Sequence, residues 1–279
     1  MQTNLVKAAL SSGGFAIGSE ISRMAHRDVC RIYAQADLDF VFIDMEHTSF
    51  TLESVAALIE AARTHGLVPL VRVPEAEYSF VSRVLDAGAR GIIVPRVTRP
   101  ETVADVVSWT RYPPQGVRGY AATVAQTEGV SVDAAEFIRA NQQQTLVVIQ
   151  IERVEAMQHL DAMLEIDGVD VACLGYMDLT VDLGIPGQID HPLAIEQIEQ
   201  VIHTSRKHGV APGIIAPDLA VVRQWMERGM RFVSYATETI LLEQAVRSAS
   251  SVLQTAAAGL TNGSAKRARN QTPTLPRHG

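Results

Sequence analysis

Several stretches of this chain place polar side chains where a buried strand would put apolar ones. In VVIQIERVEAM (147–157), Val147, Val148, Ile149 and Ile151 suit a buried strand, and Gln150 and Glu152 do not. Side chains two apart on a strand share a face, so this amide and this carboxylate point the same way. In FVFIDMEHTSF (40–50) an apolar run ends in Asp44, followed by Glu46 and His47. Arg72, near the end of LVPLVRV (67–73), shares a face with Val68 and Leu70. Asp178 follows the run DVACLG (170–175) in LGYMDLT.

Two carboxylates without cysteine or a close histidine pair suit a hard divalent cation. Glu152 and Asp178, from neighbouring strands, could supply two oxygens and leave room for water and substrate. Magnesium or manganese fits better than zinc; cobalt is a further candidate. Arg72 offers a planar two-pronged donor for a substrate carboxylate. His47, with an unperturbed pKa near about 6.5, can take and give a proton near neutrality. Asp44, three residues earlier, could orient its ring. Each residue also has a plainer use. Asp44 could cap the following turn, Arg72 could pair with a loop carboxylate, and Asp178 could be an N-cap. Glu152 could pair with Arg72 or Arg153.

The elements around these residues follow one rhythm. Apolar runs at 15–20, 40–45, 67–73, 91–97, 145–152, 170–175, 212–216 and 231–236 read as strands. Helical periods lie between them. In TLESVAALIEAARTHG (51–66), Val55, Leu58, Ile59 and Ala62 form the stripe and Gly66 stops the helix. HPLAIEQIEQVIHTSRKHG (191–209) repeats the design. Eight strand–helix units predict a (β/α)8 TIM barrel over residues 1–260. A doubly wound open sheet is the rival, since alternation alone does not show closure. In a barrel the polar residues above converge on one rim, at the C-terminal ends of the strands.

Composition narrows the classes. A net charge of −7 argues against a nucleic-acid footprint. Two cysteines, Cys30 and Cys173, give neither a disulfide framework nor a zinc pattern. No signal peptide or membrane-spanning run is apparent, so a soluble cytoplasmic protein is the expectation. The stretch 112–134 lacks periodicity and reads as a functional or disordered loop. Residues 261–279, polar and basic, read as a disordered tail.

Together these residues resemble the HpcH/HpaI family of class II pyruvate aldolases, relatives of the phosphoenolpyruvate/pyruvate barrel enzymes. The matching stretches are FVFIDMEH, PLVRVPE, LDAGARGIIVPRV, YPPQGVRG, VVIQIERVEAM and DVACLGYMDLTVDLGIPG. The resemblance implies that Glu152 and Asp178 ligate the metal and that Gln150 lines the pocket. It implies that Arg72 holds the carboxylate and keto oxygen of pyruvate, and that His47, with Asp44 behind it, is the acid/base. It further implies a homohexamer with helices exchanged between subunits. In it Asp86 would be lent to a neighbour's site, and the backbone of Gly175, Tyr176 and Met177 would help bind the substrate carboxylate. The reaction implied is cleavage or formation of a 4-hydroxy-2-keto acid through a metal-stabilised pyruvate enolate, with an aldehyde as second substrate.

Lysine occurs only at positions 7, 207 and 266, and no predicted strand carries one, which argues against an imine mechanism. The chain departs from the family where Tyr176 and Met177 precede Asp178, at Glu238 in YATETILL, at YAATVAQTEG, and at Arg96. The resemblance implies that these changes face the second substrate. A citrate-synthase-like condensation of oxaloacetate with acetyl-CoA is therefore the alternative on the same scaffold. A non-catalytic keto-acid-binding protein is a third reading.

Overall fold

A computed structural model describes residues 3–260. The first half runs α1 (Leu5–Ser11), β1 (Ala16–Ile21), α2 (Arg27–Gln35), β2 (Phe40–Asp44), α3 (Leu52–Thr64), β3 (Val68–Arg72), α4 (Tyr78–Asp86) and β4 (Gly91–Val94). It continues with α5 (Pro100–Thr110), α6 (Val124–Thr127), α7 (Ala134–Gln144), β5 (Leu146–Ile151) and α8 (Val154–Leu164). The rest comprises β6 (Val171–Leu174), α9 (Tyr176–Asp182), α10 (Pro192–Lys207), β7 (Ala211–Ala216), α11 (Leu219–Arg228), β8 (Phe232–Thr237) and α12 (Glu238–Leu260).

The eight strands pair in sequence order, all parallel, and β8 closes on β1. The open-sheet rival is thereby excluded. The chain divides between Ile240 and Leu241 into two compact units, the barrel lying in the first. In the second, Leu242, Val246, Val252 and Leu253 of α12 are exposed. The predicted tail at 261–279 lies outside the described residues.

Strand parity builds the core and then the site. Ala16, Phe40, Phe42, Val68, Leu70, Leu146, Val148, Val171, Cys173 and Phe232 pack together inside the cylinder. Continuing the inward series by two residues reaches Asp44 on β2, Arg72 on β3 and Gln150 on β5, and on β1 the series Ala16, Gly18 ends in Glu20. Apolar layers fill the barrel below, and the same faces turn polar at the top.

Local sequence explains the helices. Thr51 caps α3 by accepting from the Ser54 amide, and Gly66 takes the left-handed turn after it with φ of 83°. His26 and His191 are N-caps, while His65 and His208 are C-caps. The aperiodic stretch 112–134 proves ordered. Thr123 and Gln126 form a capping box that starts α6. Buried Arg118 sits over the Tyr112 ring and ion-pairs with Asp86 at 2.7 Å.

Phe40 and Phe232 stack with centroids 4.5 Å apart inside the barrel. Gly18 admits that pair: a Cβ there would lie 2.5 Å from the Phe40 ring. Gly18→Ala is expected to lower unfolding stability by about 1–3 kcal/mol through overpacking, measured by urea denaturation.

Candidate active site at the barrel mouth

Arg72 is the hub. Its Nε donates to Asp44 Oδ1 at 2.7 Å, its Nη2 lies 3.9 Å from Glu20, and its Nε lies 3.4 Å from Glu46. The guanidinium also covers the Phe42 ring at 4.9 Å. Burial works against its charge, but the bond to Asp44 and the fields of Asp44, Glu20 and Glu46 outweigh it and raise its pKa. Arg72 Nη1 further donates to Gln150 Oε1 at 3.5 Å.

Gln150 passes the contact on. Its Nε2 donates to Glu152 Oε2 at 2.5 Å, which fulfils the expectation that the two side chains share a face. The Arg96 backbone N–H donates to Glu152 Oε1 at 2.6 Å. Gly175 leaves room for this arrangement, because a Cβ there would stand 2.5 Å from Glu152 Oε2. Glu152 is 2% exposed and makes no ion pair with Arg72 or Arg153 among the described residues. Burial, with the charges of Glu46 and Asp178, pushes its pKa up to about 7 against the opposing Arg96 amide. Asp178 stands in the first turn of α9, exposed, and Gly175 is the N-cap there instead. Tyr176 is buried and Met177 exposed on the same turn.

One expected pairing is overturned. Asp44 does not orient the His47 ring. Its carboxylate accepts the backbone N–H groups of Glu46 (3.0 Å) and His47 (3.2 Å), besides holding Arg72. The ring's Nε2 instead lies 3.5 Å from Glu46 Oε2, and the His47 side chain is 65% exposed. The turn-capping use of Asp44 and its pairing with Arg72 are both real. Asp86 ends α4, where a helix returning from its strand reaches the opposite end of the barrel, and it does not join these residues within one chain.

Sequence reasoning assigns Glu20 and Glu46 no role and expects Glu238 on the side of the second substrate. Glu20, 9% exposed, faces Arg72 and Asp44, and burial pushes its pKa up to about 7. Glu46 is drawn inward between Arg72 and Arg96, with Arg96 Nε at 3.4 Å, and burial raises its pKa too. Glu238 accepts the backbone N–H groups of Ser22 (3.0 Å), Arg23 (2.6 Å) and Met24 (2.7 Å), fixing the loop after β1. The parity Ala16–Gly18–Glu20 could have revealed the first.

The donor set fits a hard divalent cation. It offers only oxygen, and Glu152 is a desolvated carboxylate repelled by other acids, which an added positive charge would relieve. No cluster of three or more His, Cys, Asp or Glu groups suited to an ion occurs among the described residues, so water and substrate oxygens would complete the shell. No lysine reaches the mouth among those residues: Lys7 binds Thr145 and Asp170 from α1, and Lys207 pairs with Asp161.

The chain belongs to the HpcH/HpaI aldolase/citrate lyase family, whose pattern matches residues 22–245. It is 33% identical over 245 residues to a hydroxypyruvate/pyruvate aldolase of Roseovarius nubinhibens, covering 88% of this chain and 95% of that one. A solved HpcH/HpaI aldolase from Desulfitobacterium hafniense superposes with a TM-score of 0.84 at 32% identity, over 89% of this chain and 96% of that one. The citrate synthase SbnG is more distant, with a TM-score of 0.81 at 26% identity over 91% and 98%. These relatives support the expectation of a class II aldolase. No helix among the described residues is long and apolar enough to cross a membrane.

Two buried acids near pH 7 give a signed pH dependence. Glu20 and Glu152 each rise from 4.5 to about 7 on folding, so the fold favours their protonated forms. The stability they contribute is complete below pH 4.5 and is lost as pH climbs through 7, by up to roughly 3 kcal/mol each. Metal-free protein is expected to lose melting temperature between pH 5 and pH 8, with a smaller loss in Glu20→Gln and Glu152→Gln. An unchanged slope in both variants contradicts the assignment.

Proposed function

We propose that this protein is a divalent-cation-dependent aldolase that cleaves and forms 4-hydroxy-2-oxo acids, with pyruvate as the oxo-acid half. The observation that carries this is the buried Glu152 carboxylate, aimed by Gln150 and the Arg96 amide toward the side of the mouth where α9 begins. Glu152 and Asp178 would hold the cation, magnesium or manganese by donor type. When bound, it supplies positive charge that favours ionisation of a 2-oxo acid beside its carbonyl.

The chain's own residues position the reaction. Arg72 has Nη donors left beyond its Nε bond to Asp44, and these take the substrate carboxylate. Gln150 spans Arg72 and Glu152 and keeps the anion receptor and the acidic ligand in one register. The backbone of Tyr176 and Met177 offers first-turn amides to the same carboxylate, whereas the Gly175 N–H is committed to the Ile151 carbonyl at 3.0 Å. His47, steadied by Glu46, takes the proton of the C4 hydroxyl from the open side. In cleavage the C3–C4 bond breaks, C4 becomes the aldehyde carbonyl, and the bonding pair passes to C3 as the enolate of pyruvate. C3 then takes a proton to complete pyruvate. In synthesis each transfer reverses. The homohexameric assembly, and the loan of Asp86 to a neighbour, belong to this proposal and are testable by light scattering.

Solvent deuterium entering the methyl group of pyruvate reports the enolate without knowledge of the aldehyde. With magnesium or manganese, exchange is expected in the wild type, abolished by EDTA and reduced at least about a hundredfold in Glu152→Ala. Exchange that persists in EDTA rejects the proposal. Release of free CoA only from acetyl-CoA with oxaloacetate, and no pyruvate exchange, would establish the condensation instead.

A further inference from the structure

The mouth contains one inward acid, Glu20, to which the proposed chemistry gives no role. Glu20 lies on β1, which stands four strands from β5 in either direction around the closed barrel. With the oxo-acid half gathered by Arg72, Gln150 and Glu152 on β3 and β5, the side of the mouth at β1 is left for the remainder of the substrate. The Glu20 side chain is 12% exposed. Among the described residues no group donates it a hydrogen bond, and its nearest cation, Arg72 Nη2 at 3.9 Å, belongs to a guanidinium that Asp44 already holds at 2.7 Å. The neighbouring acid, Glu238, is committed to three backbone N–H groups and cannot turn to a ligand.

We propose that Glu20 selects the second reactant, favouring an uncharged, hydroxylated aldehyde over one that carries a carboxylate. This rests on the aldolase reading above. A hydroxyl arriving at β1 finds a free, desolvated acceptor. A carboxylate arriving there meets a like charge in a region where water screens poorly, and such juxtapositions are a common device of specificity. Arg23 and Arg96 are the competing anion receptors at the rim. Arg96 is engaged with Glu46 and with the Pro74 carbonyl, which leaves it a poor replacement.

The test compares kcat/KM for cleavage of two 4-hydroxy-2-oxo acids of equal length, one tail ending in a hydroxymethyl group and the other in a carboxylate. It is run with magnesium or manganese at pH 8, where Glu20 is ionised. The wild type is expected to favour the hydroxylated tail by at least about tenfold, and Glu20→Gln to shrink that ratio by about tenfold. A wild type that accepts the carboxylate tail equally well, or a ratio unmoved by Glu20→Gln, overturns the assignment and points to Arg23 and Arg96. Should the variant turn over neither compound, its melting shift with each of the two ligands reads the same ratio. Deuterium exchange into pyruvate by the wild type separates the two levels. Without it the aldolase reading fails; with it and no tail preference, only the role of Glu20 fails.

Discussion

A single buried guanidinium makes the acid-rich mouth possible. Burying an ionised side chain costs several kcal/mol unless partners return the loss. Arg72 draws Asp44, Glu46 and Glu20 within 3.9 Å and lies on the Phe42 ring, so its charge is met from several sides. The acids need it equally. Asp44 and Arg72 are register partners on adjacent strands, which places the pair by backbone pairing before any side chain chooses a rotamer. Glu152 stands at the edge of this network, held by the neutral Gln150 and the Arg96 amide, and no cationic side chain pairs with it among the described residues. That lack is what a divalent cation would answer.

Division of labour among the acids follows from this hub. Asp44 is wholly occupied by Arg72 and the two amides that follow it, which shapes the turn leading to His47. Glu46 faces both arginines and the histidine ring, so the imidazole's carboxylate partner is its immediate neighbour in the chain. An exposed ring beside a partly desolvated acid can exchange protons with solvent and with a substrate at the rim. Glu238 does structural duty for the β1 loop, although it lies among the residues where the chain departs from its family.

Much of the site was legible because strand parity is a local rule. Gln150 and Glu152 share a face, and Arg72 follows Val68 and Leu70, in any parallel barrel whose interior is apolar. The same rule applied to Ala16, Gly18 and Glu20 points that acid inward. A glutamate closing a short strand reads as a surface residue, however, unless the strand is known to enter a closed ring. Closure itself depends on β8 meeting β1, a pairing between residues more than two hundred positions apart. The structural role of Glu238, which the sequence pointed instead toward the second substrate, was hidden for the same reason, since its partners are loop amides at 22–24 with no side-chain signature. The Asp44–His47 pairing failed because spacing along a turn does not say whether a carboxylate faces the ring or the backbone N–H of its neighbour. Backbone amides at a strand end need acceptors, and Asp44 was the nearest.

The mouth also stores backbone strain where it positions a ligand group. Arg96, just after β4, has φ of 53°, and Ala236, near the end of β8, has φ of 55°. A residue other than glycine in this left-handed region gives up roughly 1–2 kcal/mol. At Arg96 the conformation turns the amide N–H onto Glu152 Oε1, a charge-assisted bond that offsets the strain. The side chain then reaches back to Glu46, so one strained residue touches both the acid proposed for the cation and the acid beside the histidine. At Ala236 the turn precedes Glu238, whose three amide bonds fix the loop beside Glu20. Glycine would relieve the strain at either position but loosen the direction that the strain enforces. An aldolase mouth built this way holds its proposed metal-binding carboxylate by backbone geometry, leaving the side chains around it free to define which aldehyde may enter.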